Sequence, residues 1–321
     1  DVRCAHWHTL AHALQRLDRD EEALAVSQRT ADCLAEQLDR GDVDANLALV
    51  AYWLGEIRAR LDDRSGAQEA WRLLLGCLER VGQLPQQGEA YTWQGLAKLA
   101  LRDGARDVAR RALQLEEERL GRVESTRAPL EQWYELGWRY EEAGLAEDAR
   151  RVWGKLAAAQ RRVVQAQQRS ASPRTRAVGL YNLACYEALA GERDGALQAL
   201  SQAFEAGFAN HQLLDEDRDF RSLRNDPRFA QVTAAALLER ARTLAGQPGE
   251  AELRYLACRA LARAGLVEQA LDALEGAVEA GFSQAGRMEH DAALTLLRKE
   301  DRFEDLLERA RAAAEKAPAG R

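Results

Sequence analysis

Several things are scarce in this 321-residue sequence, and each scarcity excludes something. Proline occurs only six times, and no long stretch alternates β-branched with polar residues, so a sheet protein is excluded and an all-α chain is expected. No apolar run approaches the roughly 20 residues that cross a bilayer as a helix, so no membrane partner is expected. Lysine stands only at Lys98, Lys155, Lys299 and Lys316. The net charge of −7 argues against nucleic acid as a partner. The five cysteines (Cys4, Cys33, Cys77, Cys185, Cys258) are odd in number and form no CxxC pair. A large helical core needs no staple, so a reducing, cytoplasmic setting is expected. There is no GxGxxG, GxxxxGK or GxSxG, and no paired carboxylates sit beside an activating group. No catalytic residues, no cofactor and no resident metal are therefore expected. The chain opens Asp1-Val2-Arg3-Cys4 without a methionine, which reads as a processed chain or, more readily, as a piece of a larger protein.

What is plentiful is Ala, Leu, Arg and Glu, all good helix formers, and they are arranged in repeats. The clearest unit runs Trp133-Tyr134-Glu135-Leu136-Gly137-Trp138-Arg139-Tyr140, then Ala143-Gly144, Ala149 and Trp153. The same frame fits Trp7, Leu10, Ala11, Leu14 and Ala23. It fits again at Leu54, Gly55, Ala67 and Trp71, and at Trp93, Leu96, Ala97, Gly104, Ala109 and Leu113. A fifth unit has Leu183, Ala184, Gly191, Ala196 and Leu200, and a sixth Ala257, Cys258, Gly265, Ala270 and Leu274. In physical terms, large residues on a first helix fill the groove against a second. Small residues let the backbones approach, and glycine ends the first helix in a left-handed turn. Gly104, Gly144, Gly191 and Gly265 should thus fall between helices, and Trp71, Trp133 and Trp153 should be buried. Successive marker alanines (Ala23, Ala67, Ala109, Ala149, Ala196) are 44, 42, 40 and 47 residues apart. Pro85, Pro129 and Pro173 recur every 44 residues, where a helix is expected to stop.

Beyond Ala196 the period becomes 74 residues. Tyr181 then matches Tyr255, Gly207-Phe208 matches Gly281-Phe282, and Asp217 matches Asp291. Leu223-Arg224 matches Leu297-Arg298, and Arg228-Phe229 matches Arg302-Phe303. This is a duplicated module: a helix pair, a Gly-Phe turn, an irregular acidic segment and one more helix. Asp226 can cap a helix whose first residue is Pro227.

The Trp133–Trp153 unit resembles the tetratricopeptide repeat, W-x2-L-G-x2-Y…A-x3-F, at every signature position, with spacings longer than that family's ~34 residues. The segment from Gly207 to Phe229 resembles the end-of-group element that closes many bacterial tetratricopeptide arrays. The resemblance implies a right-handed α-solenoid of about six helix pairs. Residues 1–170 would hold four long pairs, and residues 171–321 the two 74-residue modules. The polar stretch Arg169–Arg176 would be either a boundary or an ordinary loop in one continuous solenoid.

The resemblance also implies a peptide-binding groove lined by the first helix of each pair. One exposed offset gives His8, Tyr52, Gln94, Tyr134, Tyr181 and Tyr255; the next gives His12, Glu56, Lys98, Trp138, Cys185 and Arg259. The expected groove residues are His8, His12, Tyr52, Glu56, Gln94, Lys98, Tyr134, Trp138, Tyr181 and Tyr255, with aromatics as anchors for another protein or peptide segment. Arg16, Arg60 and Arg102 recur at a further offset, with Glu142 in the fourth unit, so the groove should run from basic to acidic. Cys4, His8 and His12 share i, i+4, i+8 spacing, which can carry zinc, but no fourth ligand is evident, and a groove lining or a solvated terminus is the expected reading. The expected function is a scaffold or adaptor; the alternative is a ligand-sensing domain of a larger bacterial signalling protein.

Overall fold

In the computed structural model, residues 2–122, 130–167, 172–210, 214 and 217–316 are described. Among them there is no strand; the chain is all-α, built of successive helix pairs in the manner of an α-solenoid. It divides into two units, Asp1–Val152 and Trp153–Arg321.

In the first unit α1 (Val2–Arg16) packs on α2 (Asp20–Arg40), α3 (Ala45–Arg60) on α4 (Arg64–Val81), and α5 (Trp93–Arg102) on α6 (Arg106–Arg122). The helix α7 (Leu130–Glu142) lies against α6, and residues 146–152 of α8 (Ala146–Gln167) complete the unit. Starts are set locally: the side chains of Asp44, Asp63 and Thr92 accept hydrogen bonds from the backbone N–H groups of Leu47, Gly66 and Gly95. Gly104 and Gly144 take positive φ in the turns between helices, as their spacing requires. All four marker alanines of this unit are fully buried. Gly55 shows why the frame needs small residues, since a Cβ there would lie 2.4 Å from the Trp71 ring.

Trp71 and Trp153 are buried, as expected, but Trp133 is only half-buried. It stands in the first turn of α7, where fewer helical neighbours can cover a side chain. Pro85 and Pro173 both come after a helix has stopped, α4 at Val81 and α8 at Gln167, as expected. Pro85 opens a 3₁₀ turn (Pro85–Gln87) and Pro173 begins α9, because a residue without an N–H suits an element's first turn; Pro129 lies outside the described residues. A larger correction concerns the cysteines. Cys4 and Cys33 face each other across the α1–α2 pair with Cα atoms 5.7 Å apart and form a disulfide. Antiparallel packing brings together two residues that look scattered in sequence. Cys77, Cys185 and Cys258 are free and buried.

In the second unit α9 (Pro173–Ala190) packs on α10 (Arg193–Glu205), followed by a 3₁₀ turn (Arg218–Phe220) and α11 (Pro227–Thr243). The next copy repeats the order with α12 (Glu250–Arg263) on α13 (Val267–Glu279), a short α14 (Ala285–His290), 3₁₀ turns at Ala292–Leu294 and Leu297–Lys299, and α15 (Asp301–Lys316). The 74-residue correspondence holds in three dimensions. Tyr181 stacks on Phe208 with centroids 4.2 Å apart, and Tyr255 stacks on Phe282 at the same 4.2 Å. Phe229 and Phe303 are both buried in the cores of their own copies. Asp226 caps α11 through the N–H of Arg228, with Pro227 at the first position.

Candidate functional site

The predicted groove positions do not share one fate. In the first unit a continuous face forms on α3 and α5. Tyr52 is half-buried, with its ring 5.1 Å from Tyr91, 5.2 Å from Trp53 and 6.2 Å from Trp71. Burial, then the Glu56 carboxylate, push its hydroxyl above the ordinary tyrosine value. One turn on, Glu56 pairs with Arg102 across the two helices at 2.9 Å. Arg102 also binds Asp103 at 2.8 Å and lies over the Trp71 ring, whose indole N–H donates to Asp103 at 2.8 Å. Gln94 donates to the buried Glu116 at 3.1 Å, and Lys98 is exposed. Trp53, 39% exposed, adds an aromatic edge to this surface.

His8 and His12 lie half-buried on α1. Burial, and then the neighbouring His12, lower the pKa of His8. Cys4 is tied into the disulfide, so the Cys4–His8–His12 spacing does not present a free thiolate. On α7, Tyr134 is half-buried and meets Trp138 edge-on at 6.2 Å, but Trp138 is itself buried. It is packed rather than projecting.

Tyr181 and Tyr255 are corrections of the same kind. Both are buried, and each hydroxyl donates to an aspartate of its own module, Tyr181 to Asp217 at 2.6 Å and Tyr255 to Asp291 at 2.9 Å. The turns Arg218–Phe220 after α10 and Ala292–Leu294 after α13 pack on the first helix of each pair, so the face that an open repeat would expose is covered. Desolvation is the main reason both hydroxyls titrate far above their ordinary value.

The expected run from basic to acidic is present only in part. Arg16 and Arg60 are exposed, but Arg102 is neutralised by Glu56 and Asp103, and Glu142 pairs with Arg139 at 3.1 Å. The frame also missed Trp53 and Tyr91. Tyr91 belongs to the irregular segment between α4 and α5, which no repeat offset addresses. Trp53 immediately follows an offset position and lies on the flank of the same face.

No family model matches this chain, and no curated protein matches it. Among solved structures, one described as a circular tandem repeat protein with novel repeat topology and enhanced subunit contact surfaces is similar, at 18% identity. The match covers 97% of this chain and 77% of that one with a TM-score of 0.30, too low to carry an argument.

Proposed function

We propose that this chain is a protein-binding scaffold or adaptor of the tetratricopeptide kind, taking a polypeptide segment along the α3–α5 face. The observation that supports this is the cluster of partly exposed rings and charges there: Tyr52, Trp53, Glu56, Lys98 and Arg102. Rings that bury much area for little entropy are typical anchors, and the ion pair beside them can exchange partners with a ligand's charge. The reading assigns no catalytic role and needs no cofactor. The anchor set differs from the one expected from the repeat frame, since Trp138, Tyr181 and Tyr255 serve packing.

An immobilised peptide array, followed by fluorescence polarisation with the best binder, tests the proposal. Tyr52→Ala should weaken that peptide about tenfold or more, a hot-spot loss, and Lys98→Ala less, while the melting temperature changes little. A binder that ignores both substitutions places the contact elsewhere and refutes the α3–α5 face.

A further inference from the structure

The two modules of the second unit build the same turn around an aspartate. In each, the carboxylate accepts the tyrosine hydroxyl and the N–H two residues on: Asp219 N–H to Asp217 at 3.0 Å, Ala293 N–H to Asp291 at 3.0 Å. An arginine seven residues later, Arg224 or Arg298, donates to that aspartate's backbone carbonyl. The frames are alike; the charges are not. In the second module Arg259 brings its guanidinium nitrogen to 2.6 Å from the Asp291 carboxylate. In the first, the position of Arg259 is Cys185, and the position of Ala293 is a second carboxylate, Asp219.

The ligand atoms of Cys185, Asp217 and Asp219 all lie within 4.8 Å of one another. Cys185 and Asp219 are almost wholly buried, at 4% and 5% exposure, and the Cys185 Sγ is 3.9 Å from Asp217. A buried carboxylate, a half-buried one and a thiol thus gather donors of one kind at one point, where a cation is electrostatically favoured. The duplicate shows the same aspartate position binding a cation, the guanidinium of Arg259. We propose that the first module holds a divalent metal ion of the zinc class between Cys185, Asp217 and Asp219. A thiolate with two carboxylates suits a borderline-soft ion, with bonds of about 2.0–2.3 Å and a fourth position left for water. Tyr181, held on Asp217, would orient that ligand as an outer-shell partner. The ion would join α9 to the acidic segment, as the Arg259–Asp291 pair joins α12 to the equivalent segment.

The test uses the full chain, stripped with a chelator and titrated calorimetrically with zinc chloride, then with cobalt(II) read by absorption. Wild type should bind one more equivalent of zinc than Cys185→Arg/Asp219→Ala, which rebuilds the second module's arrangement. Cobalt should give a thiolate charge-transfer band that Cys185→Ser abolishes. Equal zinc stoichiometry in wild type and double variant overturns the proposal. If the double variant fails to fold by circular dichroism, the near-isosteric Cys185→Ser decides: a cobalt spectrum unchanged by that substitution, or lacking a thiolate band in wild type, overturns it.

Discussion

The two copies of the 74-residue module share one frame and differ in how they balance charge inside it. Both stack a tyrosine on a phenylalanine at 4.2 Å and hang that tyrosine on an aspartate. The second copy is internally paired: Arg259 meets Asp291, and Arg302 and Arg309 on α15 reach Glu275 on α13. The first copy puts Cys185 at the place of Arg259 and Ala235 at that of Arg309, and it buries Glu187 where the second has Leu261. Packing geometry thus survived duplication while polar partners were reassigned. Shape is set by large rings and small alanines that tolerate little change, whereas one exchanged side chain can move a charge from one helix to another.

The largest expected effect tests the shared part of this comparison. Phe229→Ala and Phe303→Ala each remove a buried ring, at 7% and 4% exposure, and should each cost about 3 kcal/mol or more in urea unfolding. A loss below about 1 kcal/mol for either would mean that its ring is not a core cap and that the copies differ in packing as well as charge. Next come the tyrosine hydroxyls. Tyr181→Phe and Tyr255→Phe should each lose about 1–2 kcal/mol, because a buried carboxylate forfeits a donor. The Tyr181 variant should lose more, since Asp291 keeps Arg259 and Asp217 has no arginine at that position. An inverted order would show that Arg259 contributes little to its copy.

A smaller effect has opposite signs in the two copies. Burial pushes Glu187 above the usual glutamate value despite Arg161 at 2.5 Å. Its stability contribution is therefore fully present below the ordinary glutamate pKa and is lost as pH rises through the folded value. For Asp291 burial pushes upward too, but the Ala293 N–H, the Tyr255 hydroxyl and Arg259 together outweigh it, leaving the carboxyl below the ordinary aspartate value. That contribution is present above the ordinary aspartate pKa and is lost as pH falls. Melting curves from acid to neutral pH should show wild type losing ground to Glu187→Gln as pH rises and gaining on Asp291→Asn. Slopes of the same sign would break the comparison. The smallest effect belongs to the exposed arginines of α15. Arg309→Ala should leave the melting temperature unresolved from wild type, as solvent-screened pairs do; a clear drop would make the α13–α15 pairing structural.

Much of the fold could be read from spacing. Six alanines at one repeat position, from Ala23 to Ala270, are all fully buried, and Gly104, Gly144, Gly191 and Gly265 all take positive φ in turns. Such residues are legible because backbone approach and left-handed turns admit few side chains, whatever the rest of the chain does. The site was less legible. An offset within a helix specifies the direction of a side chain but not what comes to cover it. Tyr52, Tyr181 and Tyr255 stand at one offset; of these three only Tyr52 keeps an open edge, because Asp217 and Asp291, with the turns that follow them, close over the other two.

Composition, period and the 74-residue duplication by themselves determined that this chain is a run of helix pairs and which residues seal each pair, because these follow from local propensity and side-chain size. Tertiary structure alone decided which charges meet between helices. The disulfide between Cys4 and Cys33, the Glu56–Arg102 pair and the gathering of Cys185 with Asp217 and Asp219 join residues about 30 to 45 positions apart. Polar partnership depends on distances of a few ångströms between separate helices, and no periodicity along one helix records them.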